Sequence, residues 1–519
     1  MKVIRLPLYD RAIHHYTTSL STVEIASLNA AALVKEFRKY FNNAVAGNVG
    51  DYKTYVIKNN SRDEERIKAL TDLLDKNGIQ YGTNSGSSSG KGFNYFTARE
   101  ETFSIATGDI LISAAQPKAT LVKVLFEPKS KLVDSVTYDI TAWSLPYVYG
   151  VAAYASHERI NTGSSAVQSQ PLQNSSADAY GYVIRWQGVS SANTLAQLLK
   201  QGIKVRFAEM PFEINGQQFG RGSIIVLKKN NEKFGNNLWQ LVGKVCDSNN
   251  IKMNAVNTGM VDKGFDFGSP KVHAIKAPKC AMLTGEGVGS NAAGEIWFFF
   301  EQQLNYPVTL INANDFNRIT WNKIDVLILP DGNYRFLNDK LLADQFYQWI
   351  KNGGRVIALE NAVLQLSKLD WSAVHLKKED DDKDTTTKNN PYTSLLSFEN
   401  REKDGLPATT PGSIYKVDVD NTHPLMYGYP NYYYTLKMDT NVYDFIKENG
   451  WNAGVIKKTS QVAGFVGYKL KDKLKDGLLF GVQDIGRGHI SYLSDNVLFR
   501  NFWENGKLMF CNAVFFVGQ

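Results

Sequence analysis

Between Ala281 and Ala362 the chain alternates short apolar runs with amphipathic stretches, and this alternation constrains the fold more than any other feature. Ala281 to Thr284 reads as a strand. Gly285-Glu286-Gly287-Val288-Gly289 then turns into a helix through Trp297 to Leu304, and Val308 to Ile311 is a second strand. Ile324 to Leu329 is apolar apart from Asp325, the mark of a parallel strand buried on both faces, and it ends at Pro330-Asp331-Gly332-Asn333. Leu341 to Asn352 is a helix stopped by Gly353-Gly354, and Arg355 to Leu359 is a strand that runs straight into a helix at Glu360-Asn361-Ala362. After an insertion from about Leu369 to Asn431, the chain returns as Leu478 to Val482 and His489 to Leu493 around a Gly486-Arg487-Gly488 turn. A helix through Phe502 to Phe516 closes a doubly wound sheet domain, residues 276–519.

The 519 residues exceed what one core organises, so further domains precede this one. Residues 1–45 hold an N-terminal helix: Ser21-Thr22-Val23-Glu24 has the capping-box pattern of a helix start, and Ile25, Leu28, Val34, Phe37 and Phe41 follow up to an Asn42-Asn43 break. Two small α/β subdomains then repeat, at 46–150 and 151–275. Tyr55-Val56-Ile57 with a helix ending at Gly78 and a strand at Ile110-Leu111-Ile112 is matched by Tyr182-Val183-Ile184, a helix ending at Gly202, and Ile224-Ile225-Val226. The extra length of the first copy is a Gly/Ser-rich loop from Thr83 to Gly92, read as flexible. An aromatic turn, Tyr138 to Pro146, lies between the copies and suits a domain joint.

Composition excludes several classes. A net charge of +7 is spread along the chain with no basic-aromatic block, so no nucleic-acid partner is expected. No apolar stretch is long enough for a bilayer, and the start lacks the apolar core of a signal peptide. The acidic run Lys377 to Lys388 has no glycine-turned calcium loop. Cys246, Cys280 and Cys511 are too far apart in sequence for a zinc ribbon or redox pair. None of the seven histidines forms H-E-x-x-H or has a glutamate three residues on, so no metal site and no cofactor are expected in this chain.

Ligands of doubly wound sheets sit beyond the carboxyl ends of the strands. The loops there hold Glu286, Asp331, Asn333, Glu360 and Asn361, a candidate crevice where paired carboxylates would do acid/base work or bind a ligand, or merely cap helix starts. Gly285-x-Gly287 lacks the third glycine of a dinucleotide fingerprint. His489 lies in a strand, where it would need a nucleophile to activate.

The alternating series resembles the flavodoxin-like sheet of class I glutamine amidotransferase-like domains, whose strand-to-helix elbow carries a catalytic cysteine; here Glu360 holds that place, so no catalytic residue is assigned. The chain as a whole resembles the region just after the catalytic core in large bacterial zinc carboxypeptidases of the carboxypeptidase A type. The residues that carry this resemblance are Asp10 to Glu24, Ala114-Ala115-Gln116-Pro117, Leu125-Phe126-Glu127-Pro128, Tyr138 to Pro146, Leu283-Thr284-Gly285-Glu286-Gly287 and Phe499-Arg500-Asn501-Phe502-Trp503.

The resemblance implies a non-catalytic C-terminal accessory part of a secreted or periplasmic peptidase. Its zinc, peptide substrate and catalytic residues would belong to a peptidase domain N-terminal to Met1, with residues 1–45 as that domain's tail. Two alternatives stand beside it: an independent hydrolase using the Glu286/Glu360 crevice, and a peptide- or glycan-binding module using Tyr432-Tyr433-Tyr434.

Overall fold

The computed structural model describes residues 7–130, 139–161, 174, 178–377, 395, 397–457 and 460–519. The chain is multidomain α/β, opening with a helical arm of α1 (Leu8–Leu28) and α2 (Ala30–Val45). The i to i−4 ladder crosses their junction, with Asn29 N–H on the Ile25 carbonyl and Leu33 N–H on the Asn29 carbonyl, both at 3.0 Å. The helix therefore starts well before Ser21 and runs past Asn42-Asn43. Thr22 does not cap; its hydroxyl donates back to the Thr18 carbonyl at 2.8 Å, as a mid-helix threonine does.

What sustains the earlier start is spacing. Tyr9, Ile13, Tyr16, Leu20, Val23, Ser27, Ala30, Val34, Phe37, Phe41 and Ala44 recur in alternating steps of four and three, the seam period of packed helices. Yet α1 buries no residue and α2 buries Ala44 alone. Tyr9 is 73% exposed and Phe37 65%. His14 and His15 lie within α1, on its exposed surface.

The first subdomain comprises β1 (Thr54–Ile57), α3 (Glu64–Lys76), β2 (Gly82–Thr83), β3 (Ser88–Asn94), β4 (Arg99–Ile105), β5 (Ile110–Ser113), α4 (Ala119–Phe126), α5 (Leu145–Tyr149) and β6 (Ala153–Ser156). The second has β7 (Gly181–Ile184), α6 (Val189–Lys200), β8 (Arg206–Ala208), β9 (Phe212–Ile214), β10 (Gln217–Phe219), β11 (Ile224–Leu227), α7 (Leu238–Ser248), β12 (Asn254–Val256) and β13 (Val272–Ala274). Their sheets share one strand order: β2-β5-β1-β6 in the first corresponds to β8-β11-β7-β12 in the second. The copies part at the hairpins. β3-β4 extends the first sheet beyond β6, whereas β9-β10 forms a separate two-stranded sheet.

Half of the Gly/Ser-rich stretch expected to be a flexible loop, from Ser88 to Gly92, belongs to strand β3, which pairs with β4 and β6. Its glycines serve close approach: a Cβ at Gly92 would lie 2.2 Å from the Ala155 carbonyl oxygen, and one at Gly90 would lie 2.9 Å from the Phe103 ring. The aromatic turn does seal a joint, since the Thr141 hydroxyl donates to the Gly412 carbonyl and accepts from Phe465 N–H.

The third region begins with β14 (Cys280–Thr284), α8 (Ser290–Phe298), β15 (Val308–Asn312), β16 (Val326–Leu329), α9 (Lys340–Lys351), β17 (Arg355–Leu359) and α10 (Asn361–Leu366). It continues through α11 (Arg401–Gly405), β18 (Gly412–Val419), β19 (Tyr432–Lys437), β20 (Gly450–Ile456), β21 (Gln461–Phe465), α12 (Tyr468–Lys473), β22 (Gly477–Ile485), β23 (Gly488–Leu493) and α13 (Glu504–Phe515). Five strands, β15-β14-β16-β17-β23, are parallel. In chain order that is 2-1-3-4-5, the flavodoxin-like winding.

Part of the stretch read as an insertion joins the same sheet. β22, β20, β18, β19 and β21 add an antiparallel wing, making ten strands. Tyr433 and Tyr434 are buried in this wing and Tyr432 is largely so, which removes the exposed aromatic run offered for peptide or glycan binding. Of the acidic run 377–388, only Lys377 lies within the described residues.

Candidate functional site

The elbow between β17 and α10 is where the parallel sheet stores strain. Glu360 adopts φ 50° and ψ −117°, a conformation an L-residue takes only when its surroundings force it. Its N–H donates to the Leu493 carbonyl of β23 at 2.9 Å, and its carbonyl accepts from Val363 N–H at 3.0 Å. Both ends of the turn are thus fastened. A strained strand-to-helix turn of this kind is the one on which hydrolases present a nucleophile. This chain keeps the turn and places a carboxyl there.

The expected crevice at the topological switch point, between β14 and β16, is stitched shut by backbone. Gly289 N–H donates to the Asp331 carbonyl at 2.8 Å, Asn333 N–H donates to the Gly287 carbonyl at 2.7 Å, and Val288 bridges Gly332. The approach demands glycine, since a Cβ at Gly287 would lie 2.6 Å from the Asn333 carbonyl oxygen. The loop glycines therefore serve loop-to-loop pairing.

Four of the five candidate residues meet around these loops. Asp331 Oδ1 accepts from Asn361 N–H at 3.2 Å, capping α10, and Asn361 Nδ2 donates to the Gly332 carbonyl at 2.7 Å. Gln365, which sequence reasoning passed over, donates to the same carbonyl at 2.6 Å and accepts from Tyr334 N–H at 2.7 Å. Asn333 takes part through its backbone and is exposed. Glu286 points elsewhere: it is exposed, with Arg335 at 3.2 Å and Asn314 at 3.3 Å.

The Glu360 carboxyl has no hydrogen-bond partner among the described residues, and it is mostly buried. Burial, followed by the negative charges of Asp331, Glu295, Asp439 and Asp495, pushes its pKa up to about 8. The side chain is therefore chiefly neutral at pH 7. Glu295 reaches the area from α8, accepting from Asn496 Nδ2 at 2.5 Å and Arg500 N–H at 2.8 Å, and burial raises its pKa too. Arg500 and Asn501 both have positive φ, so the Phe499-to-Trp503 phrase is a constrained turn anchored on α8.

Nearby, Lys437 is fully buried. It donates to Asp439 and, at 2.8 Å, to Asp495, which also accepts from the Thr435 hydroxyl at 2.7 Å. Burial disfavours the ammonium, but the two carboxylates outweigh it and hold its pKa above the usual lysine value. No local pattern warns of this cluster, because Lys437 and Asp495 lie 58 positions apart.

The chemistry available is narrow. Strand register pairs Leu493 with Leu359 at the elbow end and His489 with Arg355 at the other, so His489 sits four residues, ~13 Å, from Glu360's end of the sheet. There it pairs with Asp484 at 2.7 Å. No group of three metal-ligating side chains occurs among the described residues. All three cysteines are buried, and burial pushes the Cys246 and Cys280 thiols up to about 12, far from thiolate reactivity. Among the described residues, no helix is long and apolar enough to cross a membrane.

No family model matches the chain, and no curated protein does. Solved structures similar to part of it include a GMP synthase protein from Thermoplasma acidophilum, at 10% identity over 46% of this chain and 94% of that one, with a TM-score of 0.28. A ThuA-like protein from Bacteroides uniformis matches at 14% over 46% and 91%, with a TM-score of 0.26. A glutamine amidotransferase from Thermotoga maritima matches at 8% over 43% and 76%, with a TM-score of 0.27. At these scores the likenesses carry no argument. The flavodoxin-like description rests on the strand order of the sheet itself.

Proposed function

We propose that this chain is the non-catalytic accessory part of a zinc carboxypeptidase of the carboxypeptidase A type, seated on the peptidase domain through the helical arm. The observation that carries the reading is the elbow: the strained turn is retained, yet it bears a neutral, unpaired glutamate in place of a nucleophile. The arm supplies the second half, since the seam of apolar and aromatic residues over α1 and α2 buries Ala44 alone. Zinc and the peptide-cleaving residues would come from the partner domain, and this chain would position that domain or shape access to it.

Titration calorimetry with a carboxypeptidase A-type catalytic domain tests the reading. Saturable binding is expected, with at least a tenfold loss in Leu20→Asp and Phe37→Asp, exposed positions where the change leaves the body of the chain intact. Absence of binding, or binding indifferent to both substitutions, overturns it.

One observation favours a second reading, in which the chain is an independent hydrolase. A carboxyl with a pKa near 8 beside Asp331 is suited to general-acid work. That reading requires Glu360→Gln to abolish a turnover.

A further inference from the structure

We infer that the second subdomain carries a binding site for a small organic anion, a carboxylate on a short apolar stem, at the end of its sheet where β8 begins and β11 and β13 end. A cavity of about 310 Å³ opens there. That is the lower end of the size range of small-molecule sites, which run from about 300 Å³. Its floor is apolar, made by the buried side chains of Val205, Leu227 and Ile275. Its rim holds three cationic side chains, Lys204, Arg206 and Lys229, and among the described residues no carboxylate lines it.

The walls are built features of the fold. Register places Arg206 opposite both Ile225 and Ala274, and Ile275 N–H continues the pairing to the Val205 carbonyl at 2.9 Å. The turn bearing Lys229 is pinned to the strand by Asn231, a 1% exposed side chain. Asn231 accepts from Lys204 N–H at 2.8 Å and donates to the carbonyls of Lys204 and Leu227 at 2.9 and 2.8 Å. Asn230, at φ 72°, lets that turn close.

The cations are mostly unspent. Arg206 donates through Nη1 to the Phe267 carbonyl at 3.3 Å, which leaves the rest of its donor fork without a partner among the described residues. Among the described residues, Lys229 makes one ion-pair contact, exposed, with Glu232 at 3.6 Å, and Lys204 makes none. Three positive charges over an apolar floor match a ligand whose charge is at one end and whose body is hydrocarbon. A planar guanidinium further favours a carboxylate, which it grips with two parallel hydrogen bonds. A free short-chain acid and the C-terminal residue of a peptide share this chemistry.

The test is calorimetric or NMR titration of the whole chain with hexanoate, for a free acid, and with N-acetyl-glycyl-glycyl-leucine, for a peptide end. Saturable binding of either supports the site, and the tighter of the two names the source. The leucine amide of the same peptide and inorganic phosphate should each bind at least tenfold more weakly, because one lacks the charge and the other the stem. Arg206→Gln should lose tenfold or more. Lys204→Gln with Lys229→Gln, both at exposed positions, gives the same readout if the arginine variant fails to fold. Binding of the amide or of phosphate as tight as that of the acids, binding unaffected by these substitutions, or no binding at all would overturn the inference.

Discussion

Two polar groups near the carboxyl ends of the parallel strands solve the same problem in opposite ways. Asp495, with Asp439, shares a fully buried lysine, and the cluster is closed by the Thr435 hydroxyl. Glu360 has no ion-pair partner among the described residues, and after burial the charges that act on it are those of four carboxylates; the protein keeps it neutral. In the first cluster a charge is held by compensation, in the second it is avoided by protonation. A charged cluster resists removal of any one member, because the rest are left stranded in low dielectric. A neutral carboxyl in a strained turn is a standing cost, so removing it should help the fold.

Three substitutions probe that contrast. The greatest loss is expected for Lys437→Met, which leaves Asp495 buried without its cation and should cost about 3–5 kcal/mol in denaturant unfolding. A loss under about 1 kcal/mol would mean that the carboxylates take up protons at little cost.

Next is the pH dependence set by Glu360. Its folded pKa, about 8, lies above the unfolded value, about 4.3, so the folded state binds more protons between them and stability falls as pH rises through that window. Glu360→Gln removes its share of that slope, leaving the shares of other buried carboxyls such as Glu65, whose pKa burial also raises. The variant should exceed the native chain by about 1–3 kcal/mol at pH 8.5, with the difference vanishing near pH 4. An unchanged slope would place the charge elsewhere.

The weakest response belongs to the backbone. Glu360→Gly relieves a φ of 50°, a strain of about 1–3 kcal/mol, against about 1 kcal/mol of added chain entropy. A net gain of about 1 kcal/mol in thermal unfolding is expected, and a loss would show that the side chain packs better than its lack of hydrogen bonds suggests.

The central parallel strands were readable because burial on both faces leaves few polar positions. Ile324 to Leu329 and Arg355 to Leu359 could be read as strands, and the elbow followed from where the second one stops. The shared winding of the two small subdomains was readable from their matching strand-helix-strand units. What escaped was whatever depended on distant partners. β3 looked like a linker because its glycines answer to Ala155 and Phe103, contacts no local pattern reveals. Of the antiparallel wing, β22 was readable as the strand at Leu478 to Val482, whereas β18 falls within the stretch expected to be an insertion, and the role of Lys437 depends on Asp495, far away in sequence. Of the candidate site, Asp331, Asn333, Glu360 and Asn361 meet around two paired loops while Glu286 faces Arg335. Loop composition names strand ends but not the direction in which a side chain turns.

Whether the elbow performs chemistry decides between an accessory chain and an enzyme. The purified chain can be incubated with a peptide library in zinc-containing buffer and released C-terminal residues followed by mass spectrometry, with Glu360→Gln in parallel. No release above blank is expected from either protein. Release by the native chain that disappears in Glu360→Gln would contradict the accessory role and make the elbow an active site.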